Sequence, residues 1–198
     1  MAAAVRAGVD WVQVRDRTLE GEALLEHARA VARAARAAAR ERGGSVRLIV
    51  NRRVDVALAC GADGVHLGQD AMRPAEARAL LGPEALVGVS CHDAAELAEA
   101  RGASYAQLAP IFPPLSKPAS RPALGLAGLA AARNATELPI LAQGGIDPSR
   151  AAAAVAAGAA GVAVTGAILM APDPGAAAAA LRRALDSGAC SAAPMGGA

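Results

Sequence analysis

The chain has 198 residues, enough for one domain with a full hydrophobic core and too few for two ordinary ones. A formal net charge of +2, with Trp11, Tyr105 and Phe112 as the only aromatics, gives neither the basic field nor the stacking rings of a nucleic-acid binder. Cys60, Cys91 and Cys190 form no C-x-x-C pair, which argues against a zinc site or a disulfide frame and for reduced thiols in the cytoplasm.

The N-terminal segment has no apolar signal-peptide core and reads as a helix leading into a strand at Trp11–Arg15. A long helix follows from Leu19 to about Glu41, with Leu24, Leu25, Ala28, Val31 and Ala32 on one stripe and arginines opposite. Further strands are expected at Arg47–Asn51, Gly64–Gly68, Leu86–Ser90, Tyr105–Pro110, Pro139–Gly144 and Gly161–Ala167. Most are apolar without strict alternation, the pattern of strands buried on both faces. Pro74, Pro148 and Pro174 sit where helices should start, Asp147 and Asp173 are candidate caps, and Asp93 with Glu96 resembles a capping box. The uncharged run Ala151–Ala171 is long enough to cross a membrane, but Gly158, Gly161 and Gly166 divide it. It reads as a buried helix followed by a buried strand, so no membrane partner is expected. Residues 187–198, rich in Ala, Gly and Ser, read as a disordered tail on a single domain spanning 1–186.

Regular strand–helix alternation implies a parallel sheet with right-handed crossovers. A repeat separates a barrel from an open sheet. Gly8-Val-Asp-Trp-Val-Gln-Val-Arg15, Gly61-Ala-Asp-Gly-Val-His-Leu-Gly68, Gly102-Ala-Ser-Tyr-Ala-Gln-Leu-Ala109 and Gly158-Ala-Ala-Gly-Val-Ala-Val-Thr165 share one pattern on alternate strands. In a closed barrel alternate strands supply one layer of inward side chains, which groups Gln13, His66, Gln107 and Ala163. The fold class is therefore α/β, a TIM (β/α)8-type barrel with its first strand apparently missing. Either that strand lies upstream, or the barrel is open at the seam, where an apolar edge would suit a homo-oligomer.

In parallel barrels function collects at the carboxyl ends of the strands. Those ends carry Gln13, Arg15, Arg17, Asn51, Arg52, His66, Ser90, His92, Lys117, the turn around Gly145, Thr165 and Gly166. The set has no Ser–His–Asp constellation and no pair of metal-ligating histidines; it suits binding of phosphate by Arg, Lys and backbone N–H groups. Lys117 is the sole lysine beside nineteen arginines, so a compact ammonium is either needed there or has merely survived. His66 reads either as a hydrogen-bonded interior histidine or as a substrate-facing group.

Seven segments in order resemble thiamine-phosphate synthase and its relative, thiazole tautomerase, from about Ala7 to Met170. They are Gln13-Val-Arg15-Asp-Arg17, Asn51-Arg52-Arg53-Val54-Asp55, Gly61-Ala-Asp-Gly-Val-His-Leu-Gly-Gln-Asp70, Gly88-Val-Ser-Cys-His92, Pro110-Ile-Phe-Pro-Pro-Leu-Ser-Lys117, Gln143-Gly-Gly-Ile146 and Gly161-Val-Ala-Val-Thr-Gly-Ala-Ile168. The resemblance implies coupling of hydroxymethylpyrimidine diphosphate to thiazole phosphate with loss of pyrophosphate. By similarity, Gln13, Arg15, Arg17, Asn51, Ser90 and Lys117 would hold the diphosphate, and Pro114, Leu115, Ser116, Gly145, Thr165 and Gly166 the thiazole phosphate. Arg15, Lys117, His66 and Arg52 are the candidates for catalysis. Family members hold Mg2+ with two Asp, and those positions are Arg52 and Ala71 here, so Mg2+ is doubtful in this chain. Three functions follow. The first is a synthase in which Arg52 supplies the missing charge. The second is a metal-independent tautomerase, whose usual catalytic His corresponds to Pro110 and whose base would have to be His66. The third is a non-catalytic phosphate-ligand binder.

Overall fold

The computed structural model describes residues 1–113 and 121–191. Helix α1 (Ala2–Arg6) leads into β1 (Trp11–Val14), and α2 (Gly21–Glu41) returns the chain to β2 (Arg47–Asn51). The alternation continues through α3 (Val54–Cys60), β3 (Gly64–Leu67), α4 (Pro74–Leu81), β4 (Leu86–Cys91), α5 (Ala94–Glu99) and β5 (Tyr105–Leu108). It ends with α6 (Gly125–Asn134), β6 (Ile140–Gln143), α7 (Pro148–Ala156), β7 (Gly161–Ala163), α8 (Gly166–Leu169) and α9 (Pro174–Ser191). All seven strands are parallel and lie in sequence order, β1 to β7.

Register divides every strand into two faces. Gln13 pairs with Ile49, Asn51 with His66, His66 with Gly88, Gly88 with Tyr105, Gln107 with Leu141, and Gln143 with Ala163. Since side chains alternate along a strand, Trp11, Gln13, Asn51, His66, Ser90, Tyr105, Gln107 and Gln143 share one face. That face is concave. The rings of Trp11 on β1 and Tyr105 on β5 meet edge to face with centroids 4.9 Å apart, although three strands separate them in the sheet. Only a curled sheet brings them together.

The opposite face is apolar. Val14, Leu48, Val50, Val65, Leu67, Val87, Ala106, Leu108, Ile140 and Ala142 are all buried, packed beneath the helices. Each Val, Leu or Ile so buried contributes roughly 1.5–3 kcal/mol relative to exposure. The helices answer mostly with small residues: Ala28, Ala32, Ala35, Ala38 and Ala39, with Leu24, form the buried side of α2. The buried residues gather in separate clusters, one around β5, β6 and the C-terminal helices and another around β1, β2 and α2.

Among the described residues β1 and β7 are not paired with each other, so the ring of strands is open between them. The helical layer nevertheless closes, because α9 packs on both α7 and α1. Arg182 of α9 holds Asp10, just before β1, at 2.9 Å, and its stem fills the space beside Gly8. The proline positions behave as anticipated, opening α4, α7 and α9, and the Asp147 and Asp173 carboxylates accept the Arg150 and Ala176 amides at 2.9 and 3.0 Å.

Four expectations need correction. The last strand stops at Ala163 rather than Ala167, because the Thr165 carbonyl accepts the Ile168 and Leu169 amides and winds the apolar run into α8. The strands are not apolar on both faces, since the concave side carries amides, a hydroxyl and an imidazole. Asp93 does cap α5, but Glu96 accepts from His92 N–H at 2.7 Å rather than completing a box with Asp93. Helix α9 continues to Ser191, past the point where the tail was expected to begin. Residues 192–198 lie outside the described residues. Ala151–Ala171 splits into α7, β7 and α8, and among the described residues no helix is long and apolar enough to cross a membrane.

Gly88 has no room for a side chain, because a Cβ there would overlap the buried Tyr105 ring. Gly88→Ala should therefore cost about 1–3 kcal/mol in urea unfolding, the usual penalty for overpacking a rigid core. An unchanged midpoint would show that the ring is free to move.

Candidate functional site

The carboxyl ends of β1, β2 and β3 bring three guanidinium groups to one rim of the hollow. Arg15 follows β1 on the concave parity, and Arg17 lies two residues on; Arg52 follows Asn51 at the end of β2. The chain turns sharply at Arg52, whose φ is +66°, in the left-handed region that a side chain seldom adopts. Its amide is nonetheless satisfied by the His66 carbonyl at 2.8 Å.

Partial burial lowers the Arg15 pKa from its ordinary value, and the like charges of Arg17 and Arg52 push it the same way. Among the described residues no carboxylate is paired with Arg15 to offset them. Arg52 does have a counter-ion: its Nη1 lies 2.6 Å from Asp70 Oδ1, an exposed pair that raises the guanidinium pKa and lowers that of the carboxyl. Exposed pairs of this kind contribute little to stability, so Arg52 can exchange Asp70 for a better anion at small cost.

Beneath the arginines lies a buried polar chain. His66 is 3% exposed, with Nε2 2.9 Å from Ser90 Oγ and Nδ1 3.3 Å from the Tyr105 hydroxyl. Burial first, and the nearby Arg15 charge second, pull the imidazole pKa down to about 4, so the ring is neutral at physiological pH. Both nitrogens are occupied, so His66 offers no idle lone pair to a substrate. The half-buried amides of Gln13, Asn51, Gln107 and Gln143 line the same concave face.

The other rim belongs to β6 and β7. Ile111 and Phe112 amides donate to the Gln143 and Gly144 carbonyls at 2.8 and 3.2 Å, laying the segment after β5 across the end of β6. Gly145, at φ +59°, has its Cβ position filled by Phe112 and the Pro113 carbonyl, so close backbone packing alone demands glycine there. Arg150 stacks over Phe112 at 5.1 Å and donates to the Gly145 carbonyl at 2.7 Å, fixing that turn. Thr165 is exposed and Gly166 begins α8 beside it. Pro114, Leu115, Ser116 and Lys117 lie outside the described residues.

The donor set does not fit magnesium. At the positions where the family resemblance implies two carboxylates stand a cation, Arg52, and a methyl, Ala71. Asp70 is taken up by Arg52, and the described residues contain no group of three or more His, Cys, Asp or Glu able to hold a metal ion.

Tyr105 is the participant that sequence reasoning passed over. The repeat held the signal: its position facing the hollow reads Trp11, Gly64, Tyr105 and Gly161, two large residues alternating with two glycines.

Comparison with known proteins places this arrangement. Residues 1–168 match the family model described as thiamine monophosphate synthase. A putative thiamine-phosphate synthase of Geobacter sulfurreducens is 46% identical over 173 residues, covering 86% of this chain and 78% of that protein. The thiamine biosynthesis bifunctional protein ThiM/ThiE of Symbiobacterium thermophilum is also 46% identical over 91% of this chain, which spans 37% of its length. Among solved structures, a thiamine phosphate pyrophosphorylase from Pyrococcus furiosus superposes with a TM-score of 0.80 at 28% identity, covering 95% of this chain and 88% of the other.

A buried neutral His66 has a consequence for stability. Unfolded, the imidazole binds a proton near pH 6.5; folded, it does so only near 4. Its contribution is therefore complete above 6.5 and is lost as pH falls from 6.5 toward 4, on the order of 3 kcal/mol in all. Urea unfolding of wild type and His66→Asn across that interval should show a steeper acid loss in the wild type. Parallel curves would mean that His66 titrates normally.

Proposed function

This chain belongs to the thiamine monophosphate synthase family, and from that premise we propose that it joins hydroxymethylpyrimidine diphosphate to thiazole phosphate with release of pyrophosphate. The observation that carries the reading is the convergence of Arg15, Arg17 and Arg52, like charges held together above a polar hollow. Asp70 offsets only part of this charge, and a diphosphate would supply the rest.

The methylene C–O bond of the pyrimidine substrate breaks, and its electron pair leaves on pyrophosphate. The ring nitrogen of the thiazole then donates its lone pair to the methylene carbon, forming the C–N bond. The barrier lies in charge building on the departing group, so cations aimed at that group lower it most. Arg15 and Arg17 would take this role on one rim, with Lys117 joining them by family similarity, while Gln13, Asn51 and Ser90 orient the phosphates through neutral hydrogen bonds. The thiazole phosphate would sit on the opposite rim near Gly145, Thr165 and Gly166, with the two reacting atoms meeting over the hollow. A phosphorylated substrate pair and reduced thiols agree with a cytoplasmic setting.

We further propose that Arg52 takes over the electrostatic task implied for Mg2+ in the family, releasing Asp70 when the diphosphate binds. A guanidinium neutralises less charge than a divalent ion, so turnover should be slow. The neutral, doubly bonded His66 gives no support to the tautomerase alternative.

The test is coupling of the two phosphorylated substrates, with and without a strong chelator. Product should form at a rate changed less than about threefold by the chelator, and Arg52→Ala should lose roughly 10²-fold in kcat, the usual cost of one transition-state donor. Activity abolished by the chelator and restored by Mg2+ would overturn the role given to Arg52. Absence of product under every condition would remove the synthase reading itself.

A further inference from the structure

We propose that Tyr105 and His66 are positioning residues whose hydrogen bonds run in one direction, fixing the Ser90 hydroxyl as a donor to the substrate anion. The inference rests on the diphosphate site proposed above and adds what sets its internal polarity.

The direction follows from the first member of the chain. Tyr105 is 2% exposed, and burial pushes its phenol pKa well above the ordinary value, so the hydroxyl carries its proton at physiological pH. Among the described residues, the acceptor within reach of that proton is His66 Nδ1, at 3.3 Å. A buried donor left without an acceptor is unfavourable, so Tyr105 selects the tautomer with Nδ1 bare. A neutral imidazole has one N–H, which must then be on Nε2. Nε2 lies 2.9 Å from Ser90 Oγ and donates to it. With a lone pair engaged from below, the Ser90 hydroxyl turns its own proton elsewhere. Ser90 lies on the concave face, and the polar groups there include Arg15, whose charge reaches His66. A proton directed into that positive field is placed to meet an entering anion.

The alternative tautomer would give a different protein. With the proton on Nδ1, the Tyr105 proton would lose its acceptor, and Nε2 would draw the Ser90 proton inward, presenting a lone pair to an incoming phosphate. Structure guards against this by holding the ring in place. Gly88 leaves its Cβ space to the Tyr105 ring and hydroxyl, and the edge-to-face contact with Trp11 braces the other side. Tyr105 thus keeps its hydroxyl oxygen within reach of His66, and the buried proton is directed by the acceptor there.

Three measurements test the relay. Nitrogen-15 NMR of the wild type should show His66 as the Nε2–H tautomer, and Tyr105→Phe should shift it toward a mixture. Inorganic pyrophosphate binding should weaken about tenfold in Tyr105→Phe and in Ser90→Ala, and the double variant should be no weaker than the worse single one. The urea midpoint of Tyr105→Phe, which keeps the ring, should stay near that of the wild type. An Nδ1–H tautomer in the wild type, or losses that multiply in the double variant, would overturn the relay alone. A wild type that shows Nε2–H but binds no pyrophosphate would overturn the anion site, and with it the purpose given to Ser90.

Discussion

Alternation of side chains along seven parallel strands governs everything else in this molecule. Residues one apart face opposite environments, and here those environments could hardly differ more. Outward residues are Val, Leu, Ile and Ala packed beneath helices, and they carry the stability of the fold. Inward residues form an aromatic floor of Trp11 and Tyr105, with amides, His66 and Ser90 on the same face. A slip of one residue in β1, β2, β3 or β4 would send a polar group into the apolar shell and a valine into the hollow. Register is thereby fixed by stability, and the site inherits its geometry from it.

Charge distribution follows the same division of labour. Most of the arginines on the outside are paired or spent on carbonyls: Arg182 with Asp10, Arg47 with Asp63, Arg78 with the Pro83 and Ala85 carbonyls. At the rim the pattern breaks. Arg15 meets the like charges of Arg17 and Arg52 without an ion pair of its own among the described residues, while burial first and the Arg15 charge second keep His66 neutral. Like charges held by rigid strand ends form a site already arranged for an anion, with little left to reorganise on binding. Arg52 and Ala71, at the positions where the family resemblance implies carboxylates, are what the role proposed for Arg52 builds on.

Much of this was legible in the sequence because periodic signals survive without coordinates. The strands, the long amphipathic α2, the proline-initiated helices and the shared face of Gln13, His66 and Gln107 all came from repeats and spacing. Family membership, expected from seven strand-end motifs, is shown by the match over residues 1–168. What stayed hidden depended on contacts between distant segments. Tyr105 looks like any core aromatic until curvature brings it against His66 and Trp11. Asp70 looks like half a metal site until Arg52 closes on it. Glu96 has the spacing of a capping box, yet a neighbouring amide and imidazole at His92 compete for its carboxylate and win. The end of β7 is a purely local competition, which three apolar residues after Gly166 can settle as helix or strand.

The central claim is spatial: one hollow, floored by Trp11 and Tyr105, receives a diphosphate at the rim formed by β1, β2 and β3. A crystal structure of the protein soaked with inorganic pyrophosphate tests it most directly. The account places the ion against Arg15, Arg17 and Arg52, within hydrogen-bond reach of Ser90. Pyrophosphate bound elsewhere with that rim empty at saturating concentration would contradict it.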